Sequence, residues 1–182
     1  MTAMSRVIVG VSGSPGCLPA VRYAAELARA HRAPLIPVLV WQPPGGDLAE
    51  RSHPSPVLRD LWAGAAGRRL QGALQTAFGG LPPEVPIEPL AIRGQPGRSL
   101  VQVASEPGDL LVIGTGRRSM ISRALHAGVS RYCLAHAGCP VLAVPPSPLD
   151  RALGTFGLRG WAIRRRSLSP ADIAAPPPAT RT

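Results

Sequence analysis

The sequence predicts an α/β protein built around a mostly parallel sheet. Short apolar runs alternate with stretches of helical period along the first ~146 residues, the pattern of strands joined by crossover helices. Two of these runs, Val7–Val11 (aliphatic but for Gly10) and Leu110–Ile113, read as buried strands. Five strands and four helices in about 140 residues suggest a three-layer open sandwich.

The first strand, Val7–Val11, runs into Ser12-Gly13-Ser14-Pro15-Gly16, a tight turn. A helix is predicted over Ala20–Arg32, with Val21, Ala24, Ala25, Leu27 and Ala28 giving a broad apolar face. Ser14 and Pro15 could cap it, while Pro19 argues for a later start. Leu35–Trp41 is the second strand, and Pro37 argues against a well-paired central place at that residue. Gln42–Pro56 reads as a loop of proline, glycine and charge. Val57–Phe78 follows a helical rhythm through Leu58, Leu61, Trp62, Ala65, Leu70 and Leu74.

Val85–Ile92 is the third strand, placed at an edge by Pro86 and Pro89. Pro96 opens a short helix ending at Ala104, and Leu110–Ile113 is the fourth strand. A loop of glycine, arginine and serine fills Gly114–Gly128. Val129–Ala137 is helical, and Val141–Val144 is the fifth strand, stopped by Pro145 and Pro146. From residue 147 onward, arginine, proline and alanine dominate without any sustained period, so a disordered basic tail is expected.

Composition narrows the function classes. All 20 basic residues are arginine, against 10 acids, for a formal charge of +10. The absence of lysine removes a phosphate-loop lysine and a Schiff base together. Apolar residues make up 45% of the chain, so disorder does not describe the whole. Three cysteines (Cys17, Cys133 and Cys139) form no CxxC pair and no even-numbered framework, which fits a reducing cytoplasm rather than a disulfide scaffold or zinc site. No stretch reaches the length of a membrane span. The positive charge is spread over both the domain and the tail. With few aromatics and no helix-turn-helix, a specific nucleic-acid partner is not expected. His31, His53, His126 and His136 lack metal-ligand spacing, and Gly10-Val11-Ser12-Gly13-Ser14 misses the nucleophile elbow, so neither a metal nor an enzymatic role is indicated.

Asp109-Leu-Leu-Val-Ile-Gly-Thr-Gly, followed by Gly128-Val-Ser-Arg-Tyr-Cys-Leu-Ala-His-Ala-Gly-Cys-Pro-Val-Leu-Ala-Val-Pro, resembles the universal stress protein family. Val7-Ile-Val-Gly-Val-Ser-Gly-Ser-Pro-Gly and the helix entered by Gly94-Gln-Pro support the resemblance, which covers Ser5–Pro146. It implies a doubly wound parallel sheet in the order 3-2-1-4-5, of the adenine nucleotide alpha hydrolase-like kind. It also implies a homodimer paired through the last strand, and ATP held between the ends of the first and fourth strands.

Nucleotide-binding members carry Gly, two residues, Gly, nine residues, then Gly followed by Ser or Thr. Here Gly114 matches the first glycine. The second falls on Arg117, with Gly116 one place early, the third on Ala127, and the hydroxyl on Gly128. The acid that such members carry at the end of the first strand is Ser12. Val11, Val40, Ile113, Val129 and Ser130 occupy the remaining matched positions, and their types suit either an adenine slot or plain core. Arg117, Arg118, Arg123 and Arg131 with His126 form a basic cluster that could replace glycine amides as phosphate ligands. Two functions stay open: an adenine nucleotide-responsive regulatory protein of the stress response, and a dimeric interaction module that has lost the nucleotide.

Overall fold

The computed structural model describes residues 4–80, 84–115 and 120–146, with the backbone alone at Pro15, Leu48, Ala49 and 120–127. The expected tail lies outside the described residues.

The elements run β1 (Arg6–Gly10), a 3₁₀ turn (Pro15–Cys17), α1 (Leu18–His31), β2 (Leu35–Trp41), α2 (Gly46–Ser52), α3 (Pro56–Phe78), β3 (Leu90–Arg93), α4 (Pro96–Val103), β4 (Asp109–Gly114), α5 (Met120–His136) and β5 (Val141–Val144). All strand pairs are parallel, in the order β3-β2-β1-β4-β5, as the resemblance implied. Side chains alternate between the sheet's two faces. Val7, Val9, Leu35, Leu39 and Val112 join α1 and α3 in one core layer. Ile8, Ile36, Val38, Leu111 and Ile113 join Leu100 of α4 and Cys133 of α5 in the other.

Alanine dictates how closely the first layer packs. Ala20, Ala24, Ala25 and Ala28 of α1 are buried, as are Ala66, Ala73 and Ala77 of α3, with Leu70 between them. Small side chains let the two helices approach over the sheet without large apolar residues. Arg22 of α1 donates from Nε to the carbonyl of Ala77 at 2.8 Å, placing a cation on the C-terminal end of α3. At the start of α3, Ser55 Oγ accepts from the Leu58 N–H at 3.4 Å and Pro56 occupies the first turn.

At the foot of the sheet, Arg6 of β1 holds Asp109 of β4 with both prongs of its guanidinium. Nε donates to Oδ1 at 2.9 Å and Nη2 to Oδ2 at 2.7 Å. The Asp109 side chain has no exposure to solvent. Burial would raise its pKa. The Arg6 hydrogen bonds, the Glu106 N–H and the Arg6 charge outweigh that and hold it below the ordinary carboxylate value.

Several expectations require correction. The Gln42–Pro56 segment is not all loop, because α2 forms within it. Its helix is held by charge: Arg93 of β3 pairs with Asp47 at 2.6 Å and also with Glu50, which Arg59 of α3 contacts at 2.8 Å. No apolar period announces such a helix. The first helix starts at Leu18, two residues before the predicted start, and Pro15 opens a separate 3₁₀ turn. Val57, Leu58 and Leu61 are exposed despite their helical rhythm, since the inward face of α3 is set by Ala66, Leu70, Ala73 and Ala77. The third strand begins at Leu90; among the described residues upstream of it, Ile87 makes a bridge to Leu35.

Pro37 is fully buried in β2, an interior strand, against the expectation. Leu35 donates to Pro86 O on the β3 side, so by alternation the nitrogen of residue 37 faces the same strand. It does so in the gap between the Leu35–Ile87 bridge and the first ladder pair, Val38–Leu90. The offset between the strands is the same on both sides of that gap, so the interruption is the missing Pro37 donor itself, a single lost ladder bond. The last helix begins at Met120 rather than Val129, because Met120, Arg123, Ala124, Leu125 and Ala127 are good helix formers that outweigh the Gly/Ser character of the segment.

Candidate functional site

The strand order reverses between β1 and β4: the chain winds outward through β2 and β3, then returns to place β4 on the other side of β1. Ligands of open parallel sheets bind at the carboxyl ends of strands at such a reversal. The two segments singled out by sequence meet there.

Val11 extends the first strand by one bond, its N–H donating to Val38 O at 2.8 Å. The chain then turns sharply at Gly13, whose φ of +69° is a conformation that glycine adopts without strain. Ser12 and Ser14 lie half-buried with their hydroxyls 2.9 Å apart. The Ser14 carbonyl accepts from both the N–H (3.1 Å) and the thiol (3.0 Å) of Cys17, closing the 3₁₀ turn into α1. At the end of β4, a Cβ built on Gly114 would lie 3.6 Å from Gly16 O and 3.8 Å from Cys17 Cα. The end of β4 therefore abuts the turn after β1.

The remaining predicted site residues divide. Val11 and Ile113 are buried in opposite core layers, whereas Val40 and Val129 are half-buried against the second layer, to which Ile113 belongs. Gly128 and Ser130 are half-buried within α5. Among the described residues nothing lies within 4 Å of a Cβ added to Gly128, so none of them requires glycine there. The expected Gly114–Gly128 loop is thus corrected: from Met120 onward it is helix, and Ala127 lies inside it. Gly116, Arg117 and Arg118 lie outside the described residues, and the side chains of Arg123, His126 and Ala127 are likewise not described.

Two features escaped sequence reading. Gly94, next to the end of β3, lies under Ser99 of α4. A Cβ there would come 2.4 Å from Ser99 Oγ and 4.0 Å from Val40 Cγ1, so glycine lets α4 start tight against the rim beside Val40. The second is Arg69 of α3, whose side chain lies across Gly13. The phase of Ala66, Leu70 and Ala73 could have found it, since Arg69 flanks that face while Arg68 is opposite. Among the described residues no cluster of His, Cys, Asp and Glu could hold a metal ion, and no helix is long and apolar enough to cross a membrane.

A model of the universal stress protein family matches residues 4–145. The chain belongs to the universal stress protein family. A universal stress protein of Thermus aquaticus, from the 3′ region of its QAH/OAS sulfhydrylase, is 29% identical over 144 residues, which are 76% of this chain and 96% of that protein. A universal stress protein solved in complex with cAMP is 28% identical with a TM-score of 0.52, the match covering 80% of this chain and all of that one. The universal stress protein of Archaeoglobus fulgidus shares the fold, at 24% identity and a TM-score of 0.54 over 77% of this chain and 98% of its own.

Proposed function

We propose that this universal stress protein is a regulatory binding protein of the stress response, located in the cytoplasm. It binds an adenine nucleotide between the carboxyl ends of β1 and β4 and acts without turnover. The observation that carries the reading is the abutment of Gly114 on the turn at Gly16 and Cys17, with the Ser12 and Ser14 hydroxyls in the same turn. The relative bound to cAMP supports adenine as the base. Val40 and Val129 are the half-buried apolar residues proposed to receive it, with Ile113 of the same layer as their floor and Val11 ending the first strand on the other face. Gly114, Gly116, Ala127, Gly128 and Ser130 supply the backbone and hydroxyl of the family's phosphate position, with Arg117 and Arg118 as phosphate ligands. The homodimer pairs through β5, the outermost strand on that side.

Titration calorimetry with ATP, AMP, cAMP and GMP, after extraction of any copurifying small molecule, tests the reading. Adenine nucleotides are expected to bind in the micromolar range and GMP far more weakly. The Arg117→Ala, Arg118→Ala double variant should lose ATP affinity. No heat with any nucleotide would overturn it. The second reading, a dimeric interaction module without a ligand, would then lead; the neutral Ser12 at the end of β1 favours that reading.

A further inference from the structure

We propose that the N-terminal half of α3 is a docking surface for the C-terminal segment of this chain, residues 149–163.

The helix outruns the sheet it covers. Its 23 residues make ~34 Å of helix, against ~23 Å for the seven residues of β2, the longest strand. Arg69 lies over Gly13, in the turn that follows β1, and so marks the level of the strands' carboxyl ends. From there back to Pro56 the helix continues ~20 Å past that level.

This overhang carries an apolar stripe. Val57 is 70% exposed, Leu58 45% and Leu61 58%, and half-buried Trp62 lies beside them. At about 100° per residue, the stripe is turned roughly 120° from the line of Ala66, Leu70, Ala73 and Ala77 that meets the sheet. It is therefore a second face, distinct from the core face. The other exposed large apolar residues lie elsewhere. Leu90 opens β3, and Tyr132 and Leu134 stand near the end of α5, toward the amino ends of the strands. Tyr23 has no large apolar companion exposed on α1.

The occupant follows from where the chain leaves the sheet. β5 ends at Val144 on the same carboxyl side as the overhang, three strands from β2. Strands ~4.8 Å apart, a layer ~10 Å away and the height of Leu61 above the turn put that strand end ~20 Å from the stripe, the reach of about seven extended residues. A chain leaving at Pro146 arrives there with Leu153, and Phe156, Leu158 and Trp161 follow. Phe156 and Trp161 are two of the chain's seven aromatic residues, a composition that a solvated polar linker does not have. Charge agrees with this pairing. Asp60 flanks the stripe, is exposed and has no ion pair among the described residues, whereas Arg151, Arg159, Arg164, Arg165 and Arg166 accompany the apolar segment. On its way the segment crosses the carboxyl ends of β4 and β1.

Limited trypsin digestion of the full chain, followed by mass spectrometry, tests the docking, because Arg159 lies inside the docked segment. Cleavage after Arg159 should be about 10-fold slower in the native protein than in the Leu58→Gln, Leu61→Gln double variant, whose changes are on the surface and keep helix propensity. Leu134→Gln, an equal change on the exposed face of α5, should match the native protein. A benzophenone amino acid in place of Leu61 should cross-link within one chain to the tryptic peptides 152–159 or 160–164, with a yield unchanged on dilution. Equal cleavage in native protein and double variant would overturn the proposal, as would the same acceleration in Leu134→Gln. Cross-links that join two chains or fade on dilution would assign the stripe to a second copy and overturn it too, and so would the absence of any cross-link to 149–163.

Discussion

Replacing Arg6 by methionine removes both prongs from Asp109 while keeping an aliphatic stem of similar reach. The carboxylate, with no solvent exposure, would be left with the Glu106 N–H at 2.9 Å as its partner. Breaking a buried pair from one side costs about 3–5 kcal/mol, because an uncompensated charge stays inside. The Arg6 side chain is 24% exposed, so water can partly replace the guanidinium and the lower end, ~3 kcal/mol, is expected. The additional Arg6–Glu106 contact adds little, since Glu106 is 61% exposed. Urea unfolding at neutral pH, at unchanged m, should report the loss, and Tm should fall by roughly 6–12 °C for a chain of this size. The folded pKa of Asp109 is lowered, so its contribution is fully present above the unfolded value of about 3.9 and disappears as pH falls through the folded value. The gap between native protein and variant should therefore narrow on acidification below about pH 4. Adding Asp109→Leu to Arg6→Met should restore most of the stability. A loss under about 1 kcal/mol, or a gap that does not respond to acid, would refute the role assigned to this pair.

Other perturbations follow from the packing. Gly13→Ala forces an L-residue to a φ of +69° and into Arg69, and should cost about 1–2 kcal/mol by urea unfolding; a neutral effect would mean the turn is not fixed as described. Leu70→Ala, at a residue 2% exposed between α1 and α3, should cost about 2–5 kcal/mol in the same assay, and a smaller loss would show that the alanine-rich layer collapses into the cavity. Burial pushes the Cys133 thiol up to about 11, so it should resist iodoacetamide at pH 8 in the native protein and react only on unfolding. Peptide mapping that found native Cys133 alkylated would contradict its place in the core. If the proposed dimer pairs through β5, Ala143→Pro, which removes an outward-facing N–H, should give monomers by light scattering.

The strands at the centre of the sheet were legible because Val7–Val11 and Leu110–Ile113 are buried on both faces and their apolar runs have no competing explanation. What escaped was held by something other than apolar period. The helix at Gly46–Ser52 forms around Asp47 and Glu50 meeting an arginine 40-odd residues later, a pairing no local window contains. Pro37 reads as a strand breaker, yet it removes only the ladder bond its own nitrogen would have made, and the register to β3 is the same on either side. Leu58 and Leu61 keep the helical rhythm yet lie exposed, because a rhythm gives phase without saying whether another element covers it. At the candidate site, the turn after β1 and Gly114 were legible as strand-end glycine segments. Arg69 was not, since its meaning depends on a contact with a residue 56 positions earlier.

The two outer strands of the sheet are unequal, and this limits how the sheet can be extended. Glu88 donates inward to Leu35, so the nitrogen of Pro89 faces away from the sheet and leaves a gap in that rim; Arg93, at the other end of β3, adds a charge committed to Asp47 and Glu50. A further strand meets a missing donor and a fixed ion cluster on that side. On the opposite rim, Val141 and Ala143 turn their N–H groups outward between Pro140 and Pro145, with no charged residue in the strand. Among the described residues, then, strand addition has one receptive rim. A molecule with one receptive rim closes on its mate and stops, whereas two such rims would propagate into a filament.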